Sequence, residues 1–209
     1  MKVLFLSPHT DDVELGAGGM LARFLEASYE IFWVVFSTAE DSLPHNLPKD
    51  TLKQEFLNVV KSLNLSRDNY RIFNFKVRRL HEHRQEVLEE LVKIRNEFKP
   101  DLVVGPSLHD HHQDHQVVAR EMIRAFKNTA SIISYELPWN HVSFDAQLFI
   151  KLKKRHIQKK IDLLKNYKSQ LMLNRPYFNE EFILGWAKMR GVQVKTEFAE
   201  AFEVIRWIL

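Results

Sequence analysis

The chain of 209 residues contains no cysteine. That absence excludes disulfides and thiolate metal sites, so any bound metal must be held by His, Asp or Glu. No uninterrupted apolar run approaches the roughly 18 residues that a membrane span needs. Met1-Lys2 and the short apolar run after them fall short of a signal-peptide core, and Asp11-Asp12 follow at once. A cytoplasmic protein is the simplest expectation. Excess charge is scarce as well: 30 Lys and Arg against 27 Asp and Glu leave a formal +3. So mild a balance gives no reason to expect a nucleic-acid partner. No internal repeat, low-complexity segment or domain-sized linker divides the chain, and a single domain over 1–209 is expected.

What is present is apolar and strongly patterned. Hydrophobic residues make up 45% of the chain, with 15 Phe, enough for a sizeable core. Lys2–Leu6 and Ile31–Phe36 read as buried strands, and Tyr70–Phe75, Leu102–Pro106 and Ile132–Tyr135 as further strands. Between them, helical spacing runs from about Met20, from Leu52 to Leu63, from Leu80 to Phe98 and from Val117 to Phe126. This alternation predicts an α/β fold, a Rossmann-like three-layer α/β/α arrangement around a mainly parallel sheet. After Pro138-Trp139-Asn140 the pattern changes to a C-terminal elaboration. A long Lys-rich helix is expected over Ala146–Leu173, a second over Phe178–Arg190, and an edge strand over Ala201–Trp207.

Two polar clusters stand at strand ends. Ser7-Pro8-His9-Thr10-Asp11-Asp12 follows the first strand, and His109-Asp110-His111-His112-Gln113-Asp114-His115 follows the fourth. In a doubly wound sheet these strands are neighbours and the strand order reverses between them, so their tips border one crevice. Imidazole and carboxylate suit Zn²⁺, and a catalytic zinc keeps three protein ligands and one open position. His9, Asp12 and His115 form the expected triad, with His112 one helical turn from His115. Asp11, next to a ligand yet free, is the candidate general base. His112 is the candidate oxyanion stabiliser or proton donor. Asp114 is expected to fix the tautomer of His112, or to cap the following helix. The same ligands suit Fe²⁺ and other divalent ions.

Pro8-His9-Thr10-Asp11-Asp12-Val13-Glu14-Leu15-Gly16-Ala17-Gly18-Gly19, paired with His112-Gln113-Asp114-His115, resembles the LmbE-like, or PIG-L, deacetylases. Tyr167-Lys168-Ser169-Gln170, Arg190-Gly191 and Ala199-Glu200-Ala201-Phe202 extend the likeness over nearly the whole chain. The resemblance implies a Rossmann-like, zinc-dependent enzyme that removes an acyl group, usually acetyl, from the 2-amino nitrogen of a glucosamine-containing compound. It implies zinc ligands at His9, Asp12 and His115, a base at Asp11 and an assisting His112. One departure concerns the substrate. Many members carry an arginine three residues before a glutamate in the second helix; here Leu52 stands three before Glu55. Arg78, Arg79 and Arg84 are candidates to replace it, and Trp139 and His141 are candidates for the pocket rim.

Two other readings compete. Gly16-Ala17-Gly18-Gly19 after a strand, with Glu40 about 20 residues on, suggests a nucleotide-binding oxidoreductase or transferase. Two carboxylates before the glycines would repel a pyrophosphate. A non-catalytic binding module with a structural metal is the other. The basic stretch Lys151–Lys160 reads as a solvated helix face or as an attractor for an anionic substrate, such as a sugar nucleotide or acidic glycan. The oligomeric state is not set by the sequence.

Overall fold

A computed structural model describes residues 1–44 and 46–208. Its strands are β1 (Lys2–Ser7), β2 (Glu30–Val35), β3 (Tyr70–Ile72), β4 (Leu102–Pro106), β5 (Ser131–Tyr135), β6 (Leu148–Leu152) and β7 (Phe198–Arg206). Its helices are α1 (Asp12–Glu26), α2 (Thr51–Ser62), α3 (Arg84–Phe98), α4 (Gln113–Phe126), α5 (Lys154–Leu164), α6 (Lys168–Met172) and α7 (Glu180–Gln193). The strands form one sheet in the order β3-β2-β1-β4-β5-β7-β6. The first five pair in parallel, and β7 runs antiparallel to both β5 and β6.

The period-two geometry of a strand sends alternate side chains to opposite faces. Val3 and Phe5 join one core with α1, α2, α5 and α7; Leu4 and Leu6 join the other with α3 and α4. Burial of each such large side chain stabilises the fold by about 1.5–3 kcal/mol. The sheet is therefore covered on both faces, the three-layer α/β/α arrangement expected. β1 and β4 lie side by side with the order reversing between them, which brings the two polar clusters to one crevice. Among the described residues no helix is long and apolar enough to cross a membrane.

The C-terminal third departs from the expected pattern. The long helix over Ala146–Leu173 is instead β6, α5 and α6. Leu148–Leu152 finds five register partners on β7, from Phe202 to Phe198, and that pairing overrides helix propensity. β7 is consequently an interior strand, and β6 takes the edge. The basic stretch is divided between these elements. Arg155 pairs with Glu26, and Lys160 is buried against Glu200 at 2.8 Å. It does not form one solvated face.

Helix α1 begins at Asp12, eight residues before the expected start, so the glycines lie inside it. A Cβ on Gly16 would meet the Tyr135 ring at 2.5 Å, and one on Gly19 would meet Leu152 at 2.4 Å. Ala17 leaves helical geometry (φ −141°), and beyond this kink Gly19 N–H and Met20 N–H donate to the Glu200 carboxylate at 2.9 and 2.7 Å. Glu200 thus acts as an internal cap where the helix is interrupted. These glycines serve close packing, and Glu200 takes two of the amides a phosphate would need. The dinucleotide reading has no cradle here.

Candidate active site

The turn after β1 and the start of α4 face each other across the crevice. Asp12 Oδ2 accepts from His9 N–H at 2.7 Å, which closes the turn. Around that oxygen, His115 Nε2 lies 3.3 Å away, His9 Nδ1 lies 3.5 Å away, and the two nitrogens are 3.2 Å apart. Zinc bonds of about 2.0–2.2 Å at tetrahedral angles place ligand atoms about 3.3–3.6 Å apart. The three atoms match one face of that tetrahedron. His9, His112 and His115 also form a group, but their ligand atoms spread to 4.8 Å. The tighter triangle is the one with Asp12.

Each imidazole is oriented from behind. His9 Nε2 lies 2.9 Å from Asp114 Oδ2, and His115 Nδ1 lies 2.7 Å from Asp110 Oδ2. Carboxylates only accept, so in the neutral rings, the form that binds a metal, those nitrogens carry the protons and the facing nitrogens present lone pairs. Asp110 also accepts from His112 N–H at 2.8 Å, and Asp114 accepts from Arg78 N–H and Leu80 N–H at 2.6 and 3.2 Å. The Asp114 carboxylate therefore serves His9 and not His112, correcting the sequence expectation. It reaches past the start of α4 to the turn at 78–80. Nor does it cap the helix: His112 is the N-cap, and its Nδ1 accepts from Asp114 N–H at 3.2 Å. With Nδ1 engaged as an acceptor, the neutral His112 ring carries its proton on Nε2.

Charge is concentrated here. Burial lowers the His9 and His115 pKa values, but carboxylates outweigh it and lift them to about 9 and about 10. Asp114 and Asp12 act on His9; Asp12 and Asp110 act on His115. Burial raises Asp12, yet His115 and His9 hold it well below the carboxylate range. Asp114 is likewise lowered despite its burial, by His9 and the two backbone amides. Burial, then Asp12, push Asp11 up to about 6. Burial, then His9 and His115, press His112 down to about 4. His112 is thus neutral at pH 7 and Asp11 largely ionised.

A pocket of about 330 Å³ opens over the triangle, lined by Asp11 and His112 and, farther out, by Leu52, Trp139, Asn140, Gln170, Arg175 and Tyr177. Trp139, one of the expected rim residues, is there, its ring stacked on Tyr177 at 3.8 Å between centroids. The three expected arginines are not. Arg78 contributes its backbone N–H to Asp114 while its guanidinium donates to Asp41 O. Arg79 pairs with Glu82, and Arg84 forms two hydrogen bonds to the buried Glu121. His141 also stands outside the pocket, its Nδ1 against Leu137 O at 2.7 Å.

Sequence reasoning assigned no role to Asp110, Asn140, Arg175 or Tyr177. A carboxylate five residues before a ligand histidine was a usable signal for Asp110. Gln170 arrives through packing: Ser169 N–H and Oγ bind the buried Glu55 carboxylate at 2.8 and 2.6 Å, which fastens α6 to α2.

Residues 4–126 match the PIG-L family, described as GlcNAc-PI de-N-acetylase. The chain belongs to the PIG-L family. Uncharacterized deacetylase YaiS of Escherichia coli K12 is 28% identical over 172 residues, 80% of this PIG-L chain and 90% of YaiS. The N,N'-diacetylchitobiose deacetylase of Pyrococcus horikoshii, solved with its inhibitor MPG, has a TM-score of 0.79 at 17% identity. It covers 98% of this chain and 83% of its own. GalB, the 4-carboxy-2-hydroxymuconate hydratase of Pseudomonas putida KT2440, also has a TM-score of 0.79, at 18% identity, with 100% and 97% covered. A deacetylase and a hydratase share this architecture, so the fold alone does not choose the reaction.

Proposed function

We propose that this protein is a metal-dependent N-deacetylase that hydrolyses the amide of an N-acetylated amino sugar or glucosaminyl conjugate. The observation that carries the reading is the 3.2–3.5 Å triangle of His9 Nδ1, Asp12 Oδ2 and His115 Nε2, with Asp11 and His112 beside it in the same pocket. Membership of the PIG-L family and the deacetylase relatives support an amide as the substrate. The donor set, two imidazoles and one carboxylate, fits zinc and also Fe²⁺.

A divalent cation held by these three residues supplies Lewis acidity, polarising the amide carbonyl and acidifying a water. The remaining work belongs to the chain. Asp11, ionised above about pH 6, removes the proton from the attacking water. His112 Nε2–H donates to the oxygen that gains charge as the carbonyl becomes tetrahedral, and the proton that Asp11 takes from the water goes on to the departing nitrogen. Asp110 and Asp114 hold the ligand imidazoles with their lone pairs toward the cation. Trp139 and Tyr177 wall the side where a sugar ring would lie.

The test is a panel of N-acetylated amino sugars assayed for amine release by zinc-loaded protein. At least one member should release amine, and Asp11→Ala should retain zinc while losing turnover. Metal retention with unchanged turnover in Asp11→Ala would remove Asp11 as the base.

A further inference from the structure

We propose that Arg175 determines the substrate specificity of this site by gripping an oxyanion, a carboxylate or a phosphate, on the N-acyl substrate. The inference rests on the deacetylase reading and narrows its substrate class. Arg175 is the one Lys or Arg that lines the pocket among the described residues. Its Nη1 donates to the Tyr177 hydroxyl at 2.9 Å, which fixes the plane of the guanidinium. Its Nε is buried and has no hydrogen-bond partner among the described residues.

A buried donor without an acceptor is costly, and native structures rarely leave one unless a ligand or water completes it. The edge in question is the one that carries Nε–H beside an Nη2–H. Two parallel donors of that spacing fit the two oxygens of a carboxylate or phosphate. A single sugar hydroxyl would satisfy only one of them.

Local structure explains how the arginine reaches the pocket. Helix α6 ends with Asn174 in the left-handed region (φ 52°), a conformation Asn tolerates better than most residues. The chain there turns so that Arg175 and Tyr177 line the pocket. Tyr177, two residues on, then stacks on Trp139 with an interplanar angle of 9°. Glu55, holding Ser169, anchors the preceding turn. The guanidinium is therefore held through Nη1 on Tyr177, with its Nε–H left unpaired. Leu52, in the same pocket, offers no charge that would compete for the anion.

The test compares N-acetylglucosamine with N-acetylglucosamine 6-phosphate and N-acetylmuramic acid, using zinc-loaded protein. One charge-assisted bidentate contact predicts a kcat/KM preference for an acidic member of about 10–100-fold, expressed mainly in KM. The better acidic probe identifies the oxyanion as phosphate or carboxylate. Arg175→Gln should abolish the preference, and Arg175→Lys, which keeps the charge but not the fork, should restore part of it. No acidic preference in the wild type, or a preference that survives Arg175→Gln, overturns the proposal.

A binding measurement separates this proposal from the reading beneath it. Glucosamine 6-phosphate and glucosamine are titrated against the wild type, followed by tryptophan fluorescence. Tighter binding of the phosphate by tenfold or more supports the role of Arg175 even where no amide is hydrolysed. Equal affinities overturn it, whether or not Arg175→Gln folds. Absence of amine release from every substrate counts against the deacetylase reading alone.

Discussion

The two ends of the pocket are built differently. At the inner end, His9, Asp12 and His115 come from the tip of β1 and the first turns of α1 and α4, and each imidazole is backed by its own carboxylate. At the outer end, Trp139, Arg175 and Tyr177 come from segments beyond β5 and α6, and each is half-buried. At the inner end the two ligand imidazoles and their carboxylates satisfy one another, while Thr10 Oγ1 and Glu14 Oε2 nearby are buried without a partner among the described residues. The outer end keeps the buried Nε–H of Arg175 with no partner among the described residues. An arrangement closed on itself suits chemistry that does not change from substrate to substrate. One that leaves a donor open suits recognition.

If that division holds, substitutions at the inner end reduce turnover of every substrate, and those at the rim change which substrate is turned over. The largest expected effect after loss of the ligands themselves is at Asp11. Asp11→Asn should lower kcat by about 10²–10⁴-fold, the usual contribution of a positioned base, with zinc content unchanged. The wild-type pH profile sharpens the same point. Asp11 acts only when ionised, and burial with Asp12 places its pKa at about 6. kcat/KM should therefore be flat above that pH and fall about tenfold per unit below it. His112, at about 4, stays neutral across that range. A profile flat down to pH 5 would exclude Asp11 as the titrating base.

Next in size is Asp110, which touches no substrate. Asp110→Asn weakens the anchor of His115 Nδ1 and should loosen metal binding by about 10–100-fold, read by competition with a chelator. Unaltered affinity would mean that His115 needs no orienting partner. Smallest is the rim: Trp139→Ala removes an aromatic wall and should raise KM several-fold, in line with about 0.5–1.5 kcal/mol for aromatic contacts, with kcat changed less. An equal fall in kcat would move Trp139 into the chemistry and blur the division.

The same contrast explains what was legible in the sequence. Four of the five parallel-paired strands are legible because largely buried strands are nearly continuous apolar runs, whereas β3 is only half-buried; His9, Asp12 and His115 stand out because they sit in two dense motifs at strand tips. Asp114 was misassigned because sequence proximity favoured His112, whereas the fold carries its carboxylate to His9 across 105 positions. β6 was read as helix because Leu148–Leu152 gains its partners only when β7, some 50 residues on, is in place. Arg175 gave no signal. Its position depends on a left-handed Asn174, a Ser169–Glu55 contact and a stack on Trp139, none of which leaves a local pattern.

The central claim is that a cation held by His9, Asp12 and His115 is required for amide hydrolysis. It is tested most directly by amine release from an N-acetylated amino sugar before chelation, after chelation, and after return of one equivalent of zinc. The account predicts that activity is lost with the metal and recovered with it in the wild type, and that His115→Ala neither binds the equivalent nor recovers. Amine release that persists in metal-free protein, or in His115→Ala, would contradict it.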